Sequence, residues 1–135
     1  MAYGTLKFDT LTTSDTKNTS TEKSVDTSFI YNGIPKVWNN TNMEGTAAVR
    51  DSFNQSGFTD NGTGDYSITI VSAMSDINYA HVSAGGQNST SLVTICQQRN
   101  AHAPTTTTVR YQSVYDDGDI FDGIFGSIVI IGESA

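Results

Sequence analysis

The chain has 135 residues, the length of one domain, and its formal net charge is −7. Its seven lysines and arginines are scattered singly, which excludes a nucleic-acid partner because phosphate neutralisation needs a basic face. No apolar run approaches the roughly 20 residues needed to span a bilayer, so membrane insertion is not expected. Serine and threonine supply roughly a quarter of the chain, which is typical of β-structure with a thin core.

The first third of the chain is polar and then breaks into short apolar runs. Residues 11–27 are mostly Ser, Thr, Asp, Asn, Lys and Glu, and they predict a loop or an extended arm because they cannot bury a face. Two short strands, Ser28–Tyr31 and Ile34–Trp38, are predicted next. Pro35 restricts the second strand to a sheet edge or a strand start, and Asn39–Asn42 predicts a polar loop.

A β-hairpin is the clearest element of the sequence. Apolar and polar residues alternate over residues 46–53, which is the period of a half-buried strand. A second alternating run starts at Tyr66, with Ile68 on the same face. The dipeptide Asn61-Gly62 lies between the two runs, and both of its residues tolerate positive φ. Two apolar runs joined in this way predict a hairpin.

Further strands follow at regular intervals. Residues 77–81 and 106–115 alternate, whereas residues 92–97 are apolar on both faces and predict a central strand. Strands at this spacing, with turn residues between them, predict an all-β fold: an antiparallel β-sandwich of the jelly-roll type. We expect residues 1–33 to form an extended N-terminal arm and residues 34–135 to form the sandwich.

The last strand is apolar at odd and even positions alike, from Ile128 through Val129 and Ile130 to Ile131. One face of such a strand meets the core of its own subunit, and the other face would aggregate if it stayed in water. We therefore expect sister copies to cover that face around a three-fold axis. The alternative is a central strand that one subunit covers on both faces.

No catalytic or metal-binding motif is present. The two histidines, His81 and His102, lie in unrelated contexts, and no paired His or Cys spacing indicates zinc. The sequence therefore predicts a non-enzymatic protein without cofactor or metal. The acidic segment 116–122 raises the question of calcium, with a solvated turn that keeps a sheet edge from pairing as the alternative.

Tyr111, Tyr115 and His102 are candidate glycan contacts, because tyrosine offers an apolar face and a polar tip. On alternating strands such tyrosines are more often core or interface residues. A depolymerase would need paired carboxylates in a cleft, and the densest carboxylates lie in one short turn.

Several segments resemble small structural proteins of tailed bacteriophages, namely the distal knobs of tail fibres and capsid decoration proteins. The resembling segments are Tyr3-Gly4-Thr5-Leu6-Lys7-Phe8-Asp9-Thr10-Leu11, Pro35-Lys36-Val37-Trp38, Gly45-Thr46-Ala47-Ala48-Val49-Arg50-Asp51-Ser52-Phe53-Asn54, Thr59-Asp60-Asn61-Gly62-Thr63-Gly64-Asp65-Tyr66-Ser67-Ile68, Met74-Ser75-Asp76-Ile77-Asn78-Tyr79-Ala80 and Ser127-Ile128-Val129-Ile130-Ile131-Gly132. The resemblance implies a homotrimeric β-sandwich knob displayed on a virion, made in the host cytoplasm, with other virion proteins as partners. It supplies no catalytic residue.

The chain departs from tail fibres in having no long shaft before its knob. About thirty residues precede the predicted sandwich, and at about 3.5 Å per residue they reach tens of ångströms. This favours a protein fixed directly on a capsid or tail surface, with residues 1–33 as the attachment segment. The alternative function is that of a tail-fibre-type module that binds a host-surface glycan.

Overall fold

The computed structural model describes residues 9–13, 23–86, 95–98, 102–115 and 117–135. It divides into two compact units, Met1–Ile34 and Pro35–Ala135. The described residues form ten strands and one short helix. The all-β prediction is therefore confirmed.

The N-terminal unit contains two paired strands followed by a helix. Strands β1 (Thr10–Thr13) and β2 (Lys23–Asp26) are antiparallel, with Leu11 opposite Val25. Helix α1 (Thr27–Gly33) begins where the Asp26 side chain accepts a hydrogen bond of 2.7 Å from the Ser28 amide. This cap satisfies an amide that has no partner within the helix.

Two predictions for this unit need comment. The strand predicted at Ser28–Tyr31 is wrong, because the capping bond at Asp26 starts a helix there. The described residues form a strand pair and a helix, so the extended arm is not confirmed. Residues 3–8 of the first resembling segment lie outside the described residues.

The second unit contains eight described strands in two sheets. In chain order they are β3 (Pro35–Asn42), β4 (Ala48–Phe53), β5 (Gln55–Asp60), β6 (Asp65–Ile70), β7 (Ala80–Gly86), β8 (Ile95–Gln98), β9 (Thr108–Val114) and β10 (Phe125–Ile131). The first sheet has the order β4-β3-β10-β7 and the second the order β5-β6-β9-β8. Every pairing is antiparallel.

Strand β3 is longer than its sequence predicted. Pro35 is its first residue, as expected. The polar loop predicted at Asn39–Asn42 is wrong, because these residues form the second half of the strand. Two of these side chains bond inside the sheet: the Asn39 Oδ1 accepts a bond of 3.1 Å from the Ile128 amide, and the Thr41 hydroxyl donates one of 3.0 Å to the Gly126 carbonyl.

The Asn-Gly hairpin is confirmed, although one of its strands differs from the prediction. Gly62 has a φ of 119°, and the Asp65 amide donates to its carbonyl at 2.9 Å. The partner of β6 is β5, whereas the alternating run at residues 46–53 lies in the other sheet as β4. Asn54 separates β4 from β5 with a φ of 57°, in the left-handed region that asparagine tolerates.

The central strand predicted for residues 92–97 is wrong in its described part. Among the strands that the structure describes, β8 pairs only with β9 and is the last strand in the order of its sheet. An apolar run does not by itself show how many neighbouring strands will pair with it.

The core lies between the two antiparallel sheets. It takes Val37, Ile128 and Ile130 from the first sheet, and Tyr66, Ile68, Ile70, Val109 and Tyr111 from the second, with Met43 and Met74 beside them. These side chains are at most 3 % exposed. The β-sandwich prediction is confirmed, whereas the strand orders do not confirm the finer jelly-roll prediction.

Candidate assembly surface

The alternation of side chains along β10 separates the four residues predicted to form the trimer interface. Ile128 and Ile130 are fully buried in the core of their own subunit, so assigning them to an intersubunit contact is wrong. Val129 and Ile131 point to the opposite, outer face and are partly exposed. Successive residues of a strand face opposite sides of its sheet, which explains the division.

The strand register places Val129 in an apolar row that crosses the whole outer face of the first sheet. Val129 lies opposite Trp38 of β3 and Val82 of β7, and Trp38 lies opposite Phe53 of β4. Directly opposed residues share one face of a sheet and contact each other. We call Phe53, Trp38, Val129 and Val82 the cross-strand row.

The cross-strand row is accessible to solvent. Phe53 is 54 % exposed and Val82 is 62 % exposed, while Trp38 and Val129 are half-buried between them. Ala80 and Ala84 flank Val82 on the same face of β7, and both are exposed. Hydrophobic side chains therefore form a continuous exposed patch, whereas single exposed apolar residues are ordinary on protein surfaces.

The outer face of the second sheet is polar. Strand β6 places Ser67 and Thr69 on this face, and β9 places Thr108, Arg110 and Gln112 there. The outer face of the first sheet thus differs from this one in its apolar cross-strand row, which lies beside a polar row of Asp51, Asn40 and Ser127. The polar face is the pattern expected of a sheet that meets water.

Charged and polar side chains lie beside the cross-strand row on β4. The Arg50 guanidinium donates to the side-chain oxygens of Asn40 and Asn42 and, at 2.9 Å, to the Ile124 carbonyl. The pairing of β3 with β4 also shifts register after Asn40. A charged residue and a bulge both discourage pairing at an edge strand. Another molecule would therefore bind the outer face of the first sheet more readily than it would pair with the edge strand β4.

The three candidate glycan contacts do not form a platform. Tyr111 is fully buried in the core, so its prediction as a glycan contact is wrong. Tyr115 stacks on Phe121 with ring centroids 3.7 Å apart. His102 is exposed, but it precedes β9 whereas Tyr115 follows it. The seven residues of that strand span about 23 Å.

Asp122, the last carboxylate of the predicted acidic turn, fastens its own segment to the second sheet. One of its oxygens accepts bonds from the Gly64 amide at 2.8 Å and from the Tyr66 hydroxyl at 2.6 Å. Burial, and then the bond to Asp122, raise the pKa of Tyr66 well above its ordinary value. Asp116 lies outside the described residues. Among the residues that the structure describes, no three His, Cys, Asp or Glu side chains form a group that could hold a metal ion.

A second ionic contact lies on the same sheet. Arg110 donates to both carboxylate oxygens of Asp65, at 2.7 and 2.8 Å. Its bond to Asp65 is the main reason that the pKa of Arg110 is raised. In both contacts a charged side chain binds another group of the protein, which gives Asp122, Arg110 and Asp65 a structural role.

Sequence reasoning missed Phe53, Trp38 and Val82 as members of one surface. Trp38 and Phe53 meet through the pairing of the consecutive strands β3 and β4, but Val82 joins them only because β10 pairs with both β3 and β7. No local sequence motif predicts such a row.

The comparisons with known proteins give no relative. No protein-family model, curated protein or solved structure matches this chain. In the described part of the chain, no helix has the length and apolar character to cross a membrane.

Proposed function

We propose that this chain is a non-enzymatic structural protein of a tailed-phage virion: a homotrimeric surface knob that decorates or cements the capsid or attaches to the tail apparatus. The proposal has two parts with separate support. Self-association is supported by the geometry of the first sheet. The location on a phage particle is supported by the sequence resemblance alone.

The observation that carries the self-association is the contrast between the two outer faces. One sandwich with a single aqueous environment would be expected to have polar residues outside both sheets. Instead, the first sheet exposes Phe53 and Val82 at its two ends and joins them through Trp38 and Val129. Covering this row removes apolar surface from water, at roughly 25 cal/mol per Å². A sister copy is always available at the concentration of the chain itself.

The test is the mass of the full chain in solution, measured by light scattering after size exclusion. We expect three times the 14.5 kDa chain mass at micromolar concentration. Val82→Asp should give the monomer, because it places a charge in the row. Val71→Asp is the matched control, since Val71 is also 62 % exposed but follows a strand of the other sheet. A monomeric wild-type chain at tens of micromolar would refute the self-association.

The virion part requires its own experiment. Particles produced with a tagged full chain are purified and labelled with an antibody to the tag for electron microscopy. Label on the outside of the capsid or tail is the expected result. Purified particles that lack the chain would remove the virion role and leave the oligomer untouched. A glycan array probed with the same chain tests the alternative of receptor binding, and a specific signal there would favour that alternative.

A further inference from the structure

The N-terminal unit exposes more apolar surface than its size explains. Phe29 is 73 % exposed, Tyr31 44 % and Ile34 50 %. Leu11 and Val25, which face each other across β1 and β2, are 47 % and 36 % exposed. Helix α1 has no buried residue at all. These side chains lie on a segment of 34 residues.

This unit has no hydrophobic core among its described residues. Every buried hydrophobic side chain in the described part of the chain belongs to the second unit. Helix α1 has seven residues, and isolated helices shorter than about 12 residues are marginal in water. The unit therefore gains most if another surface covers Phe29 and its neighbours.

Charge favours one occupant for the cross-strand row over the others. Residues 35–135 hold Glu44, Asp51, Asp60, Asp65, Asp76, Asp116, Asp117, Asp119, Asp122 and Glu133 against Lys36, Arg50, Arg99 and Arg110. Residues 1–34 are nearly balanced, with Asp9, Asp15, Glu22 and Asp26 against Lys7, Lys17 and Lys23. Two sandwiches placed face to face bring two acidic bodies together. A nearly neutral unit on an acidic sandwich meets less repulsion.

We propose that the N-terminal unit of a neighbouring copy covers the cross-strand row, with Phe29 and Tyr31 as its main contacts. The inference rests on the proposed self-association and names the surface that completes it. The stretch 27–35 carries no charged residue, which suits it to the apolar side chains of the row. On this proposal residues 1–33 bind a sister copy, in addition to any surface that they contact on a particle.

The proposed contact is heterologous, because it joins two different surfaces of the chain. Each copy gives its N-terminal unit to one neighbour and receives another on its sheet. Heterologous contacts close into a ring when the rotation between copies allows it. A rotation of one third of a turn gives the homotrimer proposed above.

The decisive experiment mixes two full-length variants. Phe29→Asp damages the N-terminal unit and leaves the cross-strand row intact. Val82→Asp damages the row and leaves the N-terminal unit intact. Both substitutions are at exposed positions, so neither removes a core side chain. Val71→Asp, outside both surfaces, is the control.

We expect each of the two variants alone to be monomeric and the control to keep the mass of the wild type. An equimolar mixture should form a one-to-one complex of twice the 14.5 kDa chain mass. In that complex the intact unit of Val82→Asp docks on the intact row of Phe29→Asp. Face-to-face association instead predicts that Phe29→Asp, whose row is intact, associates with itself, and that no complex forms between the two variants.

Trp38 provides a second readout, since it is the single tryptophan and lies in the cross-strand row. Docking of a neighbour's Phe29 should shift its emission to shorter wavelength as concentration rises. That shift should be lost in Phe29→Asp and kept in Val71→Asp.

The outcomes separate this inference from the proposed function. A Phe29→Asp chain that keeps the wild-type mass overturns the inference and leaves self-association standing. Monomeric variants whose mixture forms no complex also overturn the inference, because neither docking of the N-terminal unit nor row-to-row packing then accounts for the assembly. A monomeric wild type refutes the self-association itself.

Discussion

The strongest quantitative prediction concerns two neighbouring residues of β10, Ile130 and Val129. Ile130→Ala removes three carbons from a fully buried side chain. At about 0.8 kcal/mol per buried carbon the transfer loss is roughly 2.4 kcal/mol, and the cavity raises the total to about 2–5 kcal/mol. Val129→Ala removes two carbons from a half-buried side chain on the outer face, which by the same scale costs about 1 kcal/mol or less.

The two substitutions should have opposite effects on stability and on association. We expect Ile130→Ala to lower the free energy of unfolding at least twice as much as Val129→Ala. Urea denaturation followed by Trp38 fluorescence measures this, with both substitutions made in the Val82→Asp chain so that association does not contribute. In the otherwise wild-type chain, Val129→Ala should weaken the oligomer more than Ile130→Ala does. Equal destabilisation by the two substitutions would refute the division of β10 into a core face and an outer face.

Three further predictions concern the second sheet and its neighbours. Gly64→Ala should destabilise the fold more than Gly62→Ala in urea denaturation, because both glycines have positive φ but only a Cβ at Gly64 meets backbone atoms, at 2.8 Å; equal effects would contradict the close approach. Asp122→Asn should lower the free energy of unfolding by about 1–3 kcal/mol, since it weakens two short bonds of a carboxylate, and an unchanged urea midpoint would contradict this. Burial raises the pKa of Tyr79 from 10.0 to about 12, so the folded form keeps a proton that the unfolded form loses; stability is fully present below pH 10 and is lost as the pH rises towards 12. Ultraviolet titration of tyrosine ionisation should show a step near pH 12 that is missing in Tyr79→Phe. An unchanged titration curve in this variant would contradict the prediction.

Much of the strand content was predictable because its causes are local. The turn at Asn61-Gly62 needs only two residues that accept positive φ, and the strand at β9 shows its alternation within ten residues. Pro35 marks the start of β3, since it cannot donate a ladder bond in the middle of a sheet. A signal for α1 was also present, because Asp26 followed by Ser28 is a common helix cap.

The errors have causes that are distant in sequence. Asn39 and Thr41 form part of a strand because Ile128 and Gly126 supply partners for their side chains, and those partners are almost ninety residues away. The run at residues 92–97 predicted a central strand, yet among the described strands β8 pairs only with β9. Hydrophobicity records that a residue prefers burial and says nothing about which strand will provide it.

The candidate surface shows the same limit. The sequence premise that the last strand is apolar on both sides is correct, yet burial removes Ile128 and Ile130 from the predicted interface, and the role of Val129 and Ile131 stays a prediction. Ile128 and Ile130 stabilise the sandwich, so their character needs no partner molecule. Val129 belongs to a larger apolar surface only because the strand register places Trp38 and Val82 beside it.

Core packing and association are therefore best distinguished by comparing the outer faces of the two sheets, and not by the hydrophobicity of single residues. Strands β6 and β10 both occupy central positions, and both place apolar side chains in the core. On their outer faces β6 carries Ser67 and Thr69, whereas β10 carries Phe125, Val129 and Ile131 together with Ser127. The core imposes no such difference on outward-facing positions, and water alone would favour the polar choice at both. Under the proposed function, the apolar residues outside the first sheet are covered by a sister copy, so the mixing of Phe29→Asp with Val82→Asp tests that proposal more directly than any measurement on the folded monomer.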